Sequence, residues 1–581
     1  MTPLLSVSGL RVGFGRDPRA NEIVRGISFD LAAGETLAIV GESGSGKSVT
    51  ALSINRLVDF NGGRITAGSM RLTRPDGSLL DLTEASEPQL EKIRGAEIGM
   101  IFQEPMTSLN PVLTIGRQIE ESFRLHRGLT GRQAKAAARD ALDRVRIPDA
   151  ARRMKYCPNQ LSGGMLQRVM IATALACNPR LLIADEPTTA LDVTVQAQIM
   201  ALLAELKRDT GMSMIFITHD IGLVAGIADK VLVMQGGEAV EQGDLGQILD
   251  RPNHPYTKLL LHSVPHFTAG RATRVDFQRS EAAPARPALT VESLTVRFPV
   301  STGMFRRQAG QVHAVEDVSF DLVPGETLAI VGESGSGKST TARAILGLVK
   351  STRGKLAAGG EKTASGHSLP VQMVFQNPYA SLNPRLSIDS ILAEPVIASG
   401  QRMTAETRSR MSALLKRVGL PENSLERYPH EFSGGQRQRL CIARALILNP
   451  SVLVLDEAVS ALDVSVQAKV LELLIDLQRE YRLAYLFISH DMAVVERIAH
   501  RIAVIYAGQI VEIGDAASVL SAPRHSYTKR LISAVPTIDR RNETFVLDTR
   551  QVPSLVRPSG FEPGPVDWQK FGTDHMAQVE S

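Results

Sequence analysis

Cysteine is nearly absent from this chain of 581 residues. Cys157, Cys177 and Cys441 stand far apart with no C-x-x-C spacing, so neither a disulfide framework nor a zinc or iron–sulfur ligand pattern is suggested. A reducing compartment suits that usage. An excess of one charge is lacking too: 65 Lys and Arg face 61 Asp and Glu, and +4 over this length does not point to a nucleic-acid surface. No uncharged apolar run approaches the roughly 18 to 20 residues that span a bilayer, and MTPLLSVSGLRVGFG lacks a basic region followed by a long apolar core. A role at a membrane would go through partners that span it. His254, His262 and His266 fall close together, but Pro265 interrupts their helical spacing and no carboxylate or cysteine joins them, so no metal is read there.

What is present, the chain has twice. GETLAIVGESGSGKS at Gly34 to Ser48 returns letter for letter at Gly325 to Ser339. The apolar Leu37 to Val40 reads as a buried strand, and Gly41-x-x-x-x-Gly46-Lys47-Ser48 as the turn into a helix. In such a loop successive backbone N–H groups point at a phosphate, the lysine adds a compact positive charge, and the serine hydroxyl is a Mg²⁺ ligand. Other landmarks follow in one order in both halves. The second copy trails by 291 residues at the lysines (Lys47, Lys338) and by 273 at Gln103 and Gln376. It trails by 271 at Ser162 and Ser433, at Glu186 and Glu457, and at His219 and His490. One deletion of 18 residues in the second copy's early loop therefore separates two copies of one domain. The duplication extends to a closing stretch, Asn253-His254-Pro255-Tyr256-Thr257-Lys258 against Arg524-His525-Ser526-Tyr527-Thr528-Lys529.

Within each copy the spacing predicts a fold. Leu5 to Phe14 alternates as a half-buried strand does, Val24 to Leu31 resembles it, and a helix is expected from Val49. Asn61 to Glu84 is polar and turn-rich, and Ile98 to Gln103 is an apolar strand ending in a glutamine. Residues 112–155 have helical spacing and read as a helical subdomain. Ser162 is an N-cap for a helix that stops at Asn178-Pro179, and the short strands Leu181 to Ala184 and Met214 to Thr218 deliver Asp185-Glu186 and His219. The expected organisation is a first domain over 1–265, a linker over 266–287, a second domain over 288–538 and a tail over 539–581. The linker's Ala282-Ala283-Pro284-Ala285-Arg286-Pro287 has linker composition. A flexible segment of that length has a root-mean-square span of about 26 Å, against a radius of gyration of about 18 Å for a domain of this size. The tail is either loosely ordered or docked along the second domain through Trp568 and Phe571.

ATP hydrolysis needs a phosphate cradle, Mg²⁺, a positioned water and charge stabilisation, and each half supplies residues for all four. Ser48, Asp185 and Gln103 are the magnesium candidates of the first half. Glu186 is placed to accept a proton from the attacking water, His219 to donate to the γ-phosphate, and Gln103 to reach metal and water. Ser339, Asp456, Gln376, Glu457 and His490 repeat these roles in the second half. An Asp-Glu pair after an apolar strand is, alone, a common helix-start preference. Its weight here comes from recurring with the other landmarks, twice.

Together the phosphate loop, Gln103, LSGG at Leu161 to Gly164, LLIADEP at Leu181 to Pro187, ALD at Ala190 to Asp192 and His219 resemble an ABC transporter nucleotide-binding domain. The second half matches with FSGGQ at Phe432 to Gln436, LVLDEA at Leu453 to Ala458, ALD at Ala461 to Asp463 and His490. The resemblance implies an α/β fold of two tandem P-loop NTPase (ABC-type) domains, each with a helical subdomain, and ATP with Mg²⁺ as cofactors. It also implies a head-to-tail pairing of domains. One site would then combine Gly41, Glu42, Ser43, Gly44, Ser45, Gly46, Lys47 and Ser48 with Ser433, Gly434 and Gly435. The other would combine Gly332, Glu333, Ser334, Gly335, Ser336, Gly337, Lys338 and Ser339 with Ser162, Gly163 and Gly164. Phe14 and Phe298 fall where the family stacks an aromatic on adenine.

FQEPMTSLNP (Phe102 to Pro111), FQNPYASLNP (Phe375 to Pro384) and the two Tyr-Thr-Lys tails are similar to the dipeptide/oligopeptide/nickel importer branch, here with both ATPase subunits fused. That implies two transmembrane permease partners, an extracytoplasmic substrate-binding protein, and a place on the cytoplasmic face of the inner membrane with membrane contact only through the permeases. No nucleic-acid partner is implied. Members of the branch often carry a C-terminal cysteine cluster for iron–sulfur; no cysteine follows Cys441, so that cofactor is not expected. LSGGM in place of LSGGQ, and Ala458 in place of the proline seen at Pro187, leave the residues assigned to chemistry intact, and two competent sites are expected. A tandem sugar-importer ATPase would not carry the paired Tyr-Thr-Lys tails, and a soluble ABC translation factor would carry a longer, charged linker. A DNA-repair ATPase would bring zinc cysteines or coiled-coil insertions.

Overall fold

A computed structural model describes residues 2–189, 191–262, 264, 286–302, 307–359, 371–460, 462–538, 553–572 and 574–579. The expected linker, apart from residues 286 and 287, lies outside them, as do Ala190 and Ala461 of the two ALD stretches. The chain divides into two compact units, Met1–Val264 with Pro536–Asp548 and Pro265–Val535 with Thr549–Ser581.

The strands of the first unit are β1 (Leu5–Phe14), β2 (Glu22–Leu31), β3 (Thr36–Val40), β4 (Gly63–Thr73), β5 (Leu79–Asp81), β6 (Ile98–Ile101), β7 (Leu181–Asp185), β8 (Ser213–Thr218), β9 (Lys230–Gln235) and β10 (Glu238–Asp244). Among the described residues they form an antiparallel sheet, β2-β1-β4-β5, and a second sheet, β10-β9-β3-β8-β7-β6. In the second sheet β3, β6, β7, β8 and β9 run parallel. Every residue of β3, β7 and β8 is buried, which is why these strands read as continuous apolar runs: a parallel sheet is covered on both faces. β1 packs one face, but the expected alternation slips at Gly9 (φ 58°), where the register shifts: Leu5 and Val7 face the core before it and Leu10 and Val12 after it. Leu5, Val7, Leu10 and Val12 join Leu37, Ile39, Ile183 and Ile217 in the core between the sheets. A second core lies in the helical subdomain, where Ile115, Ile119 and Phe123 meet Ala134, Ala138 and Leu142 and the helix Gly163–Leu175.

Two readings need correction. Asn61 to Glu84 holds strands β4 and β5, not a turn-rich connection, and β4 forms the ladder with β1. Its polar, half-exposed residues belong to a sheet with one solvated face, so no clean apolar run marks it. The helix expected from Val49 starts two residues earlier, at Lys47.

The second unit repeats the plan with β11 (Leu289–Thr302), β12 (Arg307–Leu322), β13 (Thr327–Val331), β14 (Arg353–Ala358), β15 (Val371–Val374), β16 (Val452–Asp456), β17 (Ala484–Ile488), β18 (Arg501–Tyr506) and β19 (Gln509–Asp515). The shortfall seen in the sequence falls between β14 and β15, where residues 360–370 lie outside the described ones. Three short strands of the tail, β20 (Val556–Arg557), β21 (Trp568–Lys570) and β22 (Met576–Gln578), extend its sheets, with β20 on β12 and β22 on β19. The described part of the tail is thus docked, by strand pairing and polar anchors. Glu562 takes both Arg297 and Arg353, and the His575 Nε2 lies 2.7 Å from the Glu512 carboxylate, both of them buried. Trp568 and Phe571 stay 42% and 38% exposed, but Phe571 does meet the second unit, its ring centroid 4.9 Å from the Arg524 guanidinium carbon.

Candidate nucleotide site

The loop after β3 is shaped by a glycine that no other residue replaces. Gly41 has φ 156°, and a Cβ there would lie 2.2 Å from the Met234 carbonyl oxygen of β9; Gly332 meets Ile505 O at the same distance. The loop closes on its own lysine. The Lys47 Nζ donates to Gly41 O (2.7 Å) and Glu42 O (2.8 Å), and Lys338 repeats this with Gly332 O and Glu333 O at the same distances. Both ammonium groups are buried, aimed into the loop they serve.

Opposite the loop, β7 delivers two carboxylates with different roles. The Ser48 hydroxyl donates to Asp185 Oδ1 at 3.0 Å, and Ser339 to Asp456 at 3.0 Å. Burial pushes the Asp185 carboxyl up to about 6, against the pull of the Ser48 bond, and raises Asp456 as well. A desolvated carboxylate beside a hydroxyl is a donor set of hard oxygens, which fits a divalent cation such as Mg²⁺.

Glu186 is one residue further on, in the left-handed region at φ 46°, and Glu457 is at φ 47°. That conformation is costly for a residue with a Cβ and persists where the surroundings enforce it. Here the Glu186 N–H donates to Ile217 O of β8 at 2.9 Å, turning the side chain back toward the loop. Four groups converge on its carboxylate: Gln103 Nε2 (3.0 Å), Thr189 Oγ1 (2.8 Å), His219 Nδ1 (3.3 Å) and Lys47 Nζ (4.0 Å). Burial works to raise its pKa, but the His219 bond and charge, Thr189 and Lys47 outweigh it and hold the group at about 2. In the second unit Gln376 Nε2 lies 2.6 Å and His490 Nδ1 3.1 Å from the Glu457 carboxylate, and the bond to His490 leads the lowering of Glu457. The sequence reading missed Thr189. Its only signal was the Thr-Thr after Pro187.

His219 is raised above the usual histidine value, first by its hydrogen bond to Glu186. A histidine raised on folding contributes stability that is present below its unfolded pKa and lost as the pH rises through its folded one. His219→Gln should therefore lower the thermal midpoint more at pH 6 than at pH 9, read by parallel unfolding scans.

The two signature helices, Gly163–Leu175 and Gly434–Leu446, begin at Ser162 and Ser433 as predicted. A Cβ on Gly164 would sit 2.7 Å from Val195, and one on Gly435 2.3 Å from Val466, so the second glycine lets each helix start against its neighbour. Only the second start has a reciprocal capping box, in which Ser433 Oγ accepts from Gln436 N and Gln436 Oε1 accepts from Ser433 N. Met165 holds that position in the first unit, where its thioether, a weak acceptor, takes Arg153 instead of the Ser162 N–H, and Ser162 makes no side-chain cap bond. Met165→Gln is expected to restore the box and stabilise the first unit by about 0.5 kcal/mol in denaturant unfolding. Of the predicted adenine partners, Phe298 is 40% exposed, whereas Phe14 is half-buried with its ring over Gly63.

A phosphate loop, a serine–aspartate pair and a strained glutamate held by glutamine and histidine define a P-loop nucleoside triphosphatase, present in each unit. The family described as ABC transporter matches residues 24–189 and 315–460, and the oligopeptide/dipeptide transporter C-terminal region matches 240–288 and 511–564. The chain belongs to the ABC transporter family, as a tandem ATP-binding protein of its oligopeptide/dipeptide branch, and its reaction is the ATP hydrolysis that powers transport. It is 51% identical to the glutathione import ATP-binding protein GsiA of Salmonella paratyphi A, over 98% of this chain and 96% of that one. It is 50% identical to the protein of that name from Escherichia coli K12, over 100% and 97%. Among solved structures, a dimeric post-hydrolysis state of the ATP-binding cassette MJ0796 bound to ADP and Pi is 29% identical. It covers 42% of this chain and 98% of that one at a TM-score of 0.37.

Proposed function

We propose that this chain drives import of a small peptide, with glutathione the first cargo to test, by hydrolysing ATP in two domains (1–265 and 288–538) joined by the 266–287 linker. The observation that carries the cargo is the half-identity, over nearly the whole chain, to proteins named for glutathione import. Two permease subunits and an extracytoplasmic receptor are the partners, with the chain on the cytoplasmic face of the inner membrane. No helix among the described residues is long and apolar enough to cross a membrane, in keeping with contact through the permeases. Exposed Phe102, Met106 and Val112 in the first unit, and Phe375 and Tyr379 in the second, follow β6 and β15 around Gln103 and Gln376 and are the proposed permease seats.

Each site works through its own residues. The loop N–H groups and Lys47 hold the phosphates, and Ser48, Asp185 and Gln103 would hold Mg²⁺, which when bound would supply neutralisation of phosphate charge. Glu186, ionised at neutral pH, accepts the proton of the attacking water. His219 steadies that carboxylate through Nδ1 and keeps Nε2 as a donor for phosphate. Lys338, Ser339, Asp456, Gln376, Glu457 and His490 repeat the set. In the nucleotide-loaded protein the signature residues Ser433 to Gly435 complete the first cradle and Ser162 to Gly164 the second, as the family resemblance implies. A flexible tether favours such a meeting by raising the effective concentration of one domain near the other to the millimolar range for short linkers.

The test is ATPase stimulation in proteoliposomes holding the chain, its permeases and its receptor. Glutathione is expected to stimulate turnover. Stimulation by other peptides and not by glutathione would overturn the cargo, and recovery of the chain with ribosomes and no permease would overturn transport itself.

A further inference from the structure

The repeated Tyr-Thr-Lys stretches reach the phosphate loops. Tyr256 lies in the helix Pro255–His262, with its ring 5% exposed in the core that also holds Ala38 and Val40 of β3. Its hydroxyl accepts from the Glu42 N–H at 2.8 Å, and in the second unit Tyr527, 2% exposed, accepts from the Glu333 N–H at 2.9 Å. Since Lys47 Nζ holds Glu42 O and Lys338 Nζ holds Glu333 O, each glutamate is tied on both its N–H and its C=O side. The helix bearing each tyrosine is itself fixed at its start. The Glu241 carboxylate accepts from the N–H groups of Asn253 and His254, and Glu512 accepts from those of Arg524 and His525. The His254 and His525 Nδ1 atoms then accept from the tyrosines' own N–H groups.

We infer that Tyr256 and Tyr527 are positioning residues for ATP binding: their hydroxyls anchor the first turn of each phosphate loop, so that the N–H groups after it point at phosphate. The inference rests on the reading that these loops bind ATP. The same bond in both units, made by the same residue of a stretch outside the loop, is unexplained by packing alone, because phenylalanine would fill the space equally well. A hydroxyl that only completes the core would leave nucleotide affinity untouched.

Tyr256→Phe and Tyr527→Phe in the full chain test this. Each is expected to raise the ATP dissociation constant of its own site about three- to tenfold, the range given by losing one hydrogen bond. The turnover at saturating ATP should stay within about twofold, the pattern of lost uniform binding. Amide exchange should quicken at Glu42 in the first variant and at Glu333 in the second, with no nucleotide present. Unchanged affinity, or weakened affinity with unchanged exchange at those amides, overturns the inference. A wild-type chain that binds no ATP sinks the ATPase reading instead, and the exchange measurement then still decides whether the tyrosines anchor the loops.

Discussion

Replacing Glu186 or Glu457 by glutamine is expected to cut hydrolysis at the altered site by roughly 10²- to 10⁴-fold while ATP stays bound, the cost of removing a general base. The physical basis is the polar company each carboxylate keeps. Gln103, Thr189 and His219 fix the Glu186 side chain, and its pKa near 2 leaves it ionised at neutral pH. A glutamine keeps an oxygen to accept from Gln103 and Thr189, so the geometry survives and only proton acceptance is lost. Phosphate release in a single turnover is the measurement. Wild-type release from the Glu186→Gln/Glu457→Gln double variant would show that neither carboxylate takes the proton.

Gly41→Ala should be as damaging, for a different reason. Its Cβ would fall 2.2 Å from Met234 O and 2.9 Å from Ser45 Oγ, and the Met234 carbonyl belongs to β9, which is paired with β3 and cannot swing aside. The loop has to move instead. Displacing a binding cradle by about 1 Å is enough to cost on the order of 10²-fold, and a loss of that size in ATP affinity is expected. Gly332→Ala repeats the conflict with Ile505 O. Gly44 supplies the control: at φ 78° it has nothing within 4 Å of a built Cβ, so alanine there costs only left-handed strain, about 1 kcal/mol. Equilibrium binding that ranks Gly44→Ala at or below Gly41→Ala would contradict this account of the loop.

The contrast between the two glycines shows where the sequence was readable. The loop itself, the buried strands and both signature helices could be placed because each has a strong local pattern: an unbroken apolar run, a glycine spacing, or a serine before a helix. β1 matches its expected bounds, Leu5 to Phe14, because one packed face imposes period-two alternation on either side of Gly9, although the register shift at Gly9 was not legible. β4 carries no such mark, since its residues alternate weakly between a half-solvated face and the core. Several features depend on contacts between residues far apart in the chain, and no local pattern carries those. The positive φ of Glu186 is set by a hydrogen bond to Ile217, and the Tyr256 bond to Glu42 crosses 214 positions. The tail was left open between two alternatives for the same reason: Glu562 and His575 find partners at Arg297 and Glu512, which composition does not reveal. The missing capping box was visible as LSGGM, but its consequence appeared only when Gln436 was seen to accept from Ser433.

Two competent ATP sites in one chain is the claim on which the rest depends. Counting ATP bound at equilibrium by the Glu186→Gln/Glu457→Gln chain, alongside turnover of each single variant, tests it most directly. The account predicts two ATP molecules per chain, with the double variant unable to hydrolyse them and Lys47→Ala or Lys338→Ala each removing one. A single bound ATP, or one lysine variant that leaves the count unchanged, would contradict it.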